Sequence, residues 1–142
     1  MSNNEDKPRF SLPVHVYCGD TDAGGVVYYA DYLKFMERAR IEWLRSLDFE
    51  LDALRRREGL LLIVRHADIA YLRPALLDDL LTVTVDSCAH GGASMDLVQE
   101  VRRAADATLC CWGRIKIACV DAKTLRSKRI LEKLLAEIAD VR

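Results

Sequence analysis

The chain has 142 residues, of which 51% are hydrophobic and 30% charged, and its formal net charge is −1. That length suits one domain and allows roughly two-thirds of the unfolded chain's surface to be buried, so a core can form without metal or disulfide support. A near-neutral chain has no global field for nucleic acid, and any anionic ligand must be met by a local basic patch.

The polar residues 1–9 lack the apolar segment of a signal peptide and read as a loose tail ahead of one domain over 10–142. Residues 10–18 form a first strand, with Pro13 near its start, where a missing N–H is tolerated. Residues 19–28 are a loop carrying two carboxylates, Asp20 and Asp22, and the adjacent Gly24 and Gly25. Residues 29–47 have helical periodicity. Tyr32, Met36, Ala39, Trp43 and Leu47 step along one face, which Leu33 and Leu44 widen, while Asp31, Lys34, Arg38, Glu42 and Arg45 line the other. Glu37 and Arg40 lie within i, i+3 reach and read as a half-buried ion pair. The functional alternative is that Glu37 helps shape a site near the helix start.

Residues 48–59 read as a short second helix ended by Gly59, with Arg55, Arg56 and Arg57 in solvent. From Leu60 the period changes. Residues 60–72 form a long apolar strand containing Arg65, His66 and Asp68, and Pro74 ends it. Asp78 and Asp79 mark a turn. Leu81, Val83 and Val85 alternate with polar residues in the next strand, and His90-Gly91-Gly92 is a hairpin turn. Met95, Leu97 and Val101 share one parity, with Gln99 between them. After a turn at Ala105-Asp106, Leu109, Cys111, Ile115 and Ile117 alternate in the last long strand, where Gly113 marks a bulge or a close approach. Ser127 opens a final helix whose apolar face holds Ile130, Leu131, Leu134, Leu135 and Ile138. Strands clustered after one dominant helix define an α+β fold with an antiparallel sheet.

The five cysteines, Cys18, Cys88, Cys110, Cys111 and Cys119, are odd in number and include no C-x-x-C pair. Cys111 and Cys119 share a strand parity and read as small core residues. His15, His66 and His90 have neither metal nor triad spacing, so neither a metal nor a cofactor is expected. No G-x-S-x-G elbow is present. No apolar run reaches bilayer length, and the expected compartment is a reducing cytoplasm.

The chemistry concentrates where the first strand, the loop and the long helix meet. A helix N-terminus offers unpaired N–H groups and a partial positive charge, and a carboxylate beside it suggests a nucleophile or base next to an oxyanion site. An Asp-x-Asp near a helix start is more commonly a cap or a turn. The whole segment Gly19-Asp20-Thr21-Asp22-Ala23-Gly24-Gly25-Val26-Val27-Tyr28-Tyr29-Ala30-Asp31-Tyr32, continuing into Glu37-Arg38-Ala39-Arg40-Ile41-Glu42-Trp43-Leu44, resembles the signature of hotdog-fold acyl-CoA thioesterases. It is similar to the 4-hydroxybenzoyl-CoA thioesterase family and to its Tol-Pal-associated branch.

The resemblance implies an antiparallel sheet wrapped around a long central helix, followed by a C-terminal helix, and assembly as a homodimer or homotetramer. It also implies hydrolysis of an acyl-CoA thioester, with an acyl-carrier protein as the alternative acyl donor. Asp22 would be the nucleophile or general base, and the Tyr29 amide would polarise the carbonyl. Tyr17, Gly25, Val27 and Tyr28 would line the substrate site, with Arg65 and His66 toward the CoA phosphates. Arg73, Arg114 and Lys116 are further basic candidates. Asp20 would point elsewhere and accept backbone N–H groups. Tol-Pal-associated members usually carry histidine where this chain has Tyr29, whereas the 4-hydroxybenzoyl-CoA branch has tyrosine. A hydratase-type enzyme on this fold needs an Asp/His arrangement that the chain lacks, and a non-catalytic acyl-thioester binder is the remaining alternative.

Overall fold

The computed structural model describes residues 10–141, so the tail over 1–9 lies outside the described residues. Five strands, β1 (Phe10–His15), β2 (Leu60–Tyr71), β3 (Leu80–His90), β4 (Ser94–Arg103) and β5 (Leu109–Asp121), form one antiparallel sheet in the order β1-β3-β4-β5-β2. Because β1 and β2 occupy opposite edges, the chain between them must cross the sheet. The crossing element is α1 (Asp31–Ser46). Its buried residues Tyr32, Phe35, Met36, Ala39, Trp43 and Leu44 meet the inward rows of β3 (Leu81, Val83, Val85), β4 (Met95, Leu97, Val101) and β5 (Cys111, Ile115, Ile117). Burying each large apolar side chain contributes roughly 1.5–3 kcal/mol, which is what seats the helix. This is the hotdog arrangement, α+β as the alternation of the strands requires.

Gly113 marks a close approach. A Cβ there would come within 2.8 Å of Ile69 and 3.2 Å of Met36, so the Met36 side chain of α1 packs directly onto the β5 backbone at this point. Gln99, fully buried, ties the helix to the sheet. Its amide donates to the carbonyl oxygens of Met36 (3.0 Å) and Thr84 (3.2 Å), and its Oε1 accepts from Arg40 Nη1 (3.0 Å). Here the expected Glu37–Arg40 ion pair is corrected: the guanidinium bonds Gln99, and Glu37 acts on it only as a nearby charge. Gln99→Leu strands the Arg40 donor and the two carbonyls, and is expected to cost about 1–3 kcal/mol. Urea denaturation reads this as a lower midpoint at unchanged slope. A midpoint at or above that of the wild type would deny the clamp.

The boundaries differ from expectation for local reasons. The first strand ends at His15 because Cys18–Asp20 close a 3-10 turn, in which Asp20 Oδ2 accepts the Tyr17 N–H at 2.9 Å. The long helix starts at Asp31, not at Tyr29, because the Asp31 N–H turns back onto the Tyr28 carbonyl (2.8 Å). Asp31 is buried there, not on the exposed face. The second helix, α2 (Leu51–Ala53), widens into a π turn over Leu54–Glu58 and stops at Gly59, whose φ of 66° is left-handed. Arg55 and Arg56 both pair with Asp52 on the surface.

The last helix, α3 (Glu132–Val141), begins after Ser127. Ser127 instead bridges Val120, and the Ile130 N–H reaches the Gly92 carbonyl, so the chain is still extended along β5. Cys110, Cys111 and Cys119 are buried, and burial pushes the Cys111 thiol up to about 12. These thiols pack in the core and supply no nucleophile. Among the described residues no helix is long and apolar enough to cross a membrane.

Candidate active site

Asp22 sits at the head of a tight turn. Its N–H donates to the Val26 carbonyl (2.9 Å), and its own carbonyl accepts the Gly25 N–H (3.1 Å). Gly25 has a φ of 82°, which a side chain would oppose. Asp22 Oδ1 accepts the Gly24 N–H at 2.8 Å, which fixes the carboxylate's rotamer, and Oδ2 has no partner among the described residues. The residue is exposed. The turn is bolted to the segment after β2 by Val27 N–H to Ala75 O (2.8 Å) and Leu77 N–H to Gly25 O (3.0 Å). Thr21 and Val27 bridge across its base. Asp20 serves this scaffold: its side chain holds Tyr17, and its carbonyl accepts the Tyr28 N–H at 2.9 Å. The two carboxylates therefore have different duties two residues apart.

The same loop runs straight into α1. The N–H groups of Tyr29 and Ala30 have no acceptor among the described residues, as befits a helix N-terminus with its partial positive charge. Four tyrosines gather beside them. The Tyr28 and Tyr29 rings lie 4.8 Å apart, Tyr29 meets Tyr71 edge-on at 6.2 Å, and Tyr71 is 5.6 Å from Tyr32. The Tyr32 hydroxyl accepts the Ala75 N–H at 3.0 Å and is buried. A cleft of about 260 Å³ opens here, lined by Val27, Tyr29, Tyr32, Tyr71, Leu72, Arg73 and Pro74. The phenols of Tyr28, Tyr32 and Tyr71 stay protonated. The hydrogen bond with Tyr29 raises the Tyr28 pKa, and burial raises those of Tyr32 and Tyr71.

Of the residues expected at the site, Asp22, Gly25, Val27, Tyr28 and Tyr29 share this one loop. Tyr17 stands two residues past the end of β1, at the start of the 3-10 turn, and is 70% exposed. Arg65 occupies the β2 bulge between Val64 and His66. His66 pairs with Lys116 on the row that alternates with the inward residues Val64, Ala67 and Ile69, and so lies on the outer face of the sheet. Among the described residues, no hydrogen bond, ion pair or ring contact joins Arg65 or His66 to the Asp22 loop. Arg114 and Lys116 pair with Asp96, whereas Arg73 lines the cleft. Tyr71 and the Ala75–Leu77 backbone carry no local sequence signal of a site. The strand parity that places Tyr71 inward depends on the Arg65 bulge, which composition does not reveal.

With this geometry in place, comparisons with known proteins define the class. The family model described as the thioesterase-like superfamily matches residues 16–138. The chain is 44% identical over 112 residues to the acyl-CoA thioesterase YbgC of Haemophilus influenzae, covering 79% of this chain and 81% of that one. It is 38% identical over 128 residues to the acyl-CoA thioester hydrolase YbgC of Escherichia coli, covering 90% and 94%. A crystal structure of a probable thioesterase from Bartonella henselae superposes with a TM-score of 0.82 at 32% identity, over 87% of this chain and all (100%) of that one. The chain belongs to the thioesterase-like superfamily of hotdog proteins.

Proposed function

We propose that the acyl-CoA thioester hydrolysis performed by this thioesterase runs through Asp22, with the Tyr29 amide as the oxyanion donor. The observation that carries the reading is the pairing, within one hydrogen-bonded loop, of a carboxylate with one oxygen unpartnered and a helix N-terminus with free N–H groups among the described residues. A thioester carbonyl resting on the Tyr29 N–H develops negative charge where the helix end favours it. The Asp22 carboxylate attacks that carbon or takes a proton from an attacking water. Either route expels CoA as a thiolate, which is a stable leaving group; direct attack leaves an anhydride between Asp22 and the acyl group that water then hydrolyses, so both routes consume one water and end in the free acid. A thiolate departs without a strong acid, so tyrosine in place of histidine at position 29 is compatible with the chemistry.

The acyl group lies along the apolar face of α1, and Arg73 at the cleft is placed to meet an anionic part of CoA. Arg65 and His66 face solvent on the exposed β2 edge and would join the phosphates from a neighbouring subunit. An acyl-carrier protein is the alternative donor, and a reducing cytoplasm is the expected location. β2 is an edge strand with Ile63 and Val64 exposed, which an unassembled monomer would leave open to pairing. A homodimer, or a homotetramer built from it, covers this edge. Val64→Asp is expected to release monomers in light scattering and to lower turnover at least about tenfold. A monomeric wild type of full activity would contradict the assembly. The reaction itself is tested by free-thiol release from a panel of aliphatic and aromatic acyl-CoAs. Tight binding with no release would leave a binding module in place of an enzyme.

A further inference from the structure

Two cavities of about 300 and 310 Å³ run along α1 beside β2 and share Glu37, Arg40 and Val64. The first is otherwise walled by apolar side chains such as Leu44, Leu62, Met95 and Ile117, and the second by Leu33, Ala67 and Ile115 together with Lys34, which pairs with Asp31 at 3.8 Å. Three donor-bearing side chains break this apolar wall: Arg40 in both cavities, Lys34 in the second and Trp43 in the first. Arg40 carries five N–H groups, of which one is taken, by Gln99, among the described residues. One helical turn on, Trp43 lines the first cavity, is only 1% exposed, and has an Nε1–H with no acceptor. A buried donor of this kind needs an oxygen. Burial also lowers the pKa of the guanidinium, and Glu37 partly restores it, so the charge is costly to leave without partners.

We infer that this groove selects acyl chains bearing a neutral oxygen function, a hydroxyl in particular, at the end remote from the thioester. Resting on the thioesterase reading, this assigns specificity to Arg40 and Trp43. A hydroxyl accepts from Arg40 or Trp43 and donates to Glu37, whereas a carboxylate has no proton to donate there. Arg40 stands about 14 Å along the helix from Asp31, at ~1.5 Å per residue. Its side chain leans back toward the N-terminus. An extended chain of roughly eight to twelve carbons, at ~1.25 Å per bond, spans that distance from the carbonyl site.

The test compares decanoyl-CoA with 10-hydroxydecanoyl-CoA. Wild type is expected to favour the hydroxylated chain at least about tenfold in kcat/KM. Arg40→Met is expected to bring the ratio of the two substrates to about one, and Trp43→Phe to lower it, the second variant standing in if the first does not fold. Calorimetric binding of the same pair repeats the comparison without turnover. If neither substrate is hydrolysed but binding shows the Arg40-dependent preference, the thioesterase reading fails and the groove assignment stands. Equal kcat/KM and equal affinity in wild type overturn the inference. So does a ratio unchanged in Arg40→Met, or a parallel fall for both substrates with an altered oligomer, which would make Arg40 a subunit contact.

Discussion

Asp22→Asn is expected to lower kcat for acyl-CoA hydrolysis by about 10²–10⁴-fold with little change in substrate affinity. The amide side chain still accepts the Gly24 N–H, so the turn survives and only the charged, nucleophilic or basic oxygen is lost. Asp20→Asn should behave differently. Its oxygen still accepts the Tyr17 N–H, but a charge-assisted bond becomes a neutral one, which weakens the 3-10 turn. The expected result is turnover within about tenfold of wild type and a melting temperature lowered by a few degrees. Steady-state kinetics on both variants, with thermal melts as the folding control, separate the roles. An Asp20→Asn protein that is folded and as inactive as Asp22→Asn would end this division of labour.

The second large effect concerns the backbone at Tyr29. Tyr29→Pro removes the N–H assigned to the oxyanion and should reduce kcat by about 10²–10³-fold, the loss typical of one such donor. Proline is tolerated just ahead of a helix, so the fold should hold. Tyr29→Phe keeps the amide and removes only the hydroxyl, and a loss of under about tenfold is expected. If Tyr29→Phe were as impaired as Tyr29→Pro in kcat, the phenol would be the catalytic donor. In that event the edge-on contact with Tyr71 would be a positioning device for the hydroxyl.

The parts of the fold governed by periodicity were legible in the chain. Tyr32, Met36, Ala39 and Trp43 all face the core as their spacing requires, and Val83, Leu97 and Ile115 take the inward parity of their strands. Parts governed by single hydrogen bonds were not. Gln99 reads as a polar residue in an alternating strand, yet its parity is inward, and only the tertiary positions of Met36, Thr84 and Arg40 satisfy it there. Ser127 has the residue type of a helix cap, yet its backbone is engaged with Val120, so α3 starts only at Glu132. At the candidate site, the loop from Gly19 to Tyr32 was legible because local sequence builds it. The Tyr71 wall and the Ala75–Leu77 brace were not, since the β2 bulge and a return of the chain from the far edge bring them in.

The central claim is that one carboxylate, at Asp22, converts a bound acyl thioester to acid and thiol. It is tested most directly by mixing acyl-CoA with wild type and with Asp22→Asn at equal concentrations, following heat of binding and free thiol in the same samples. The account predicts prompt thiol release by wild type, and a variant that binds the thioester with similar affinity and leaves it intact. Thiol release by the variant at the wild-type rate would contradict it.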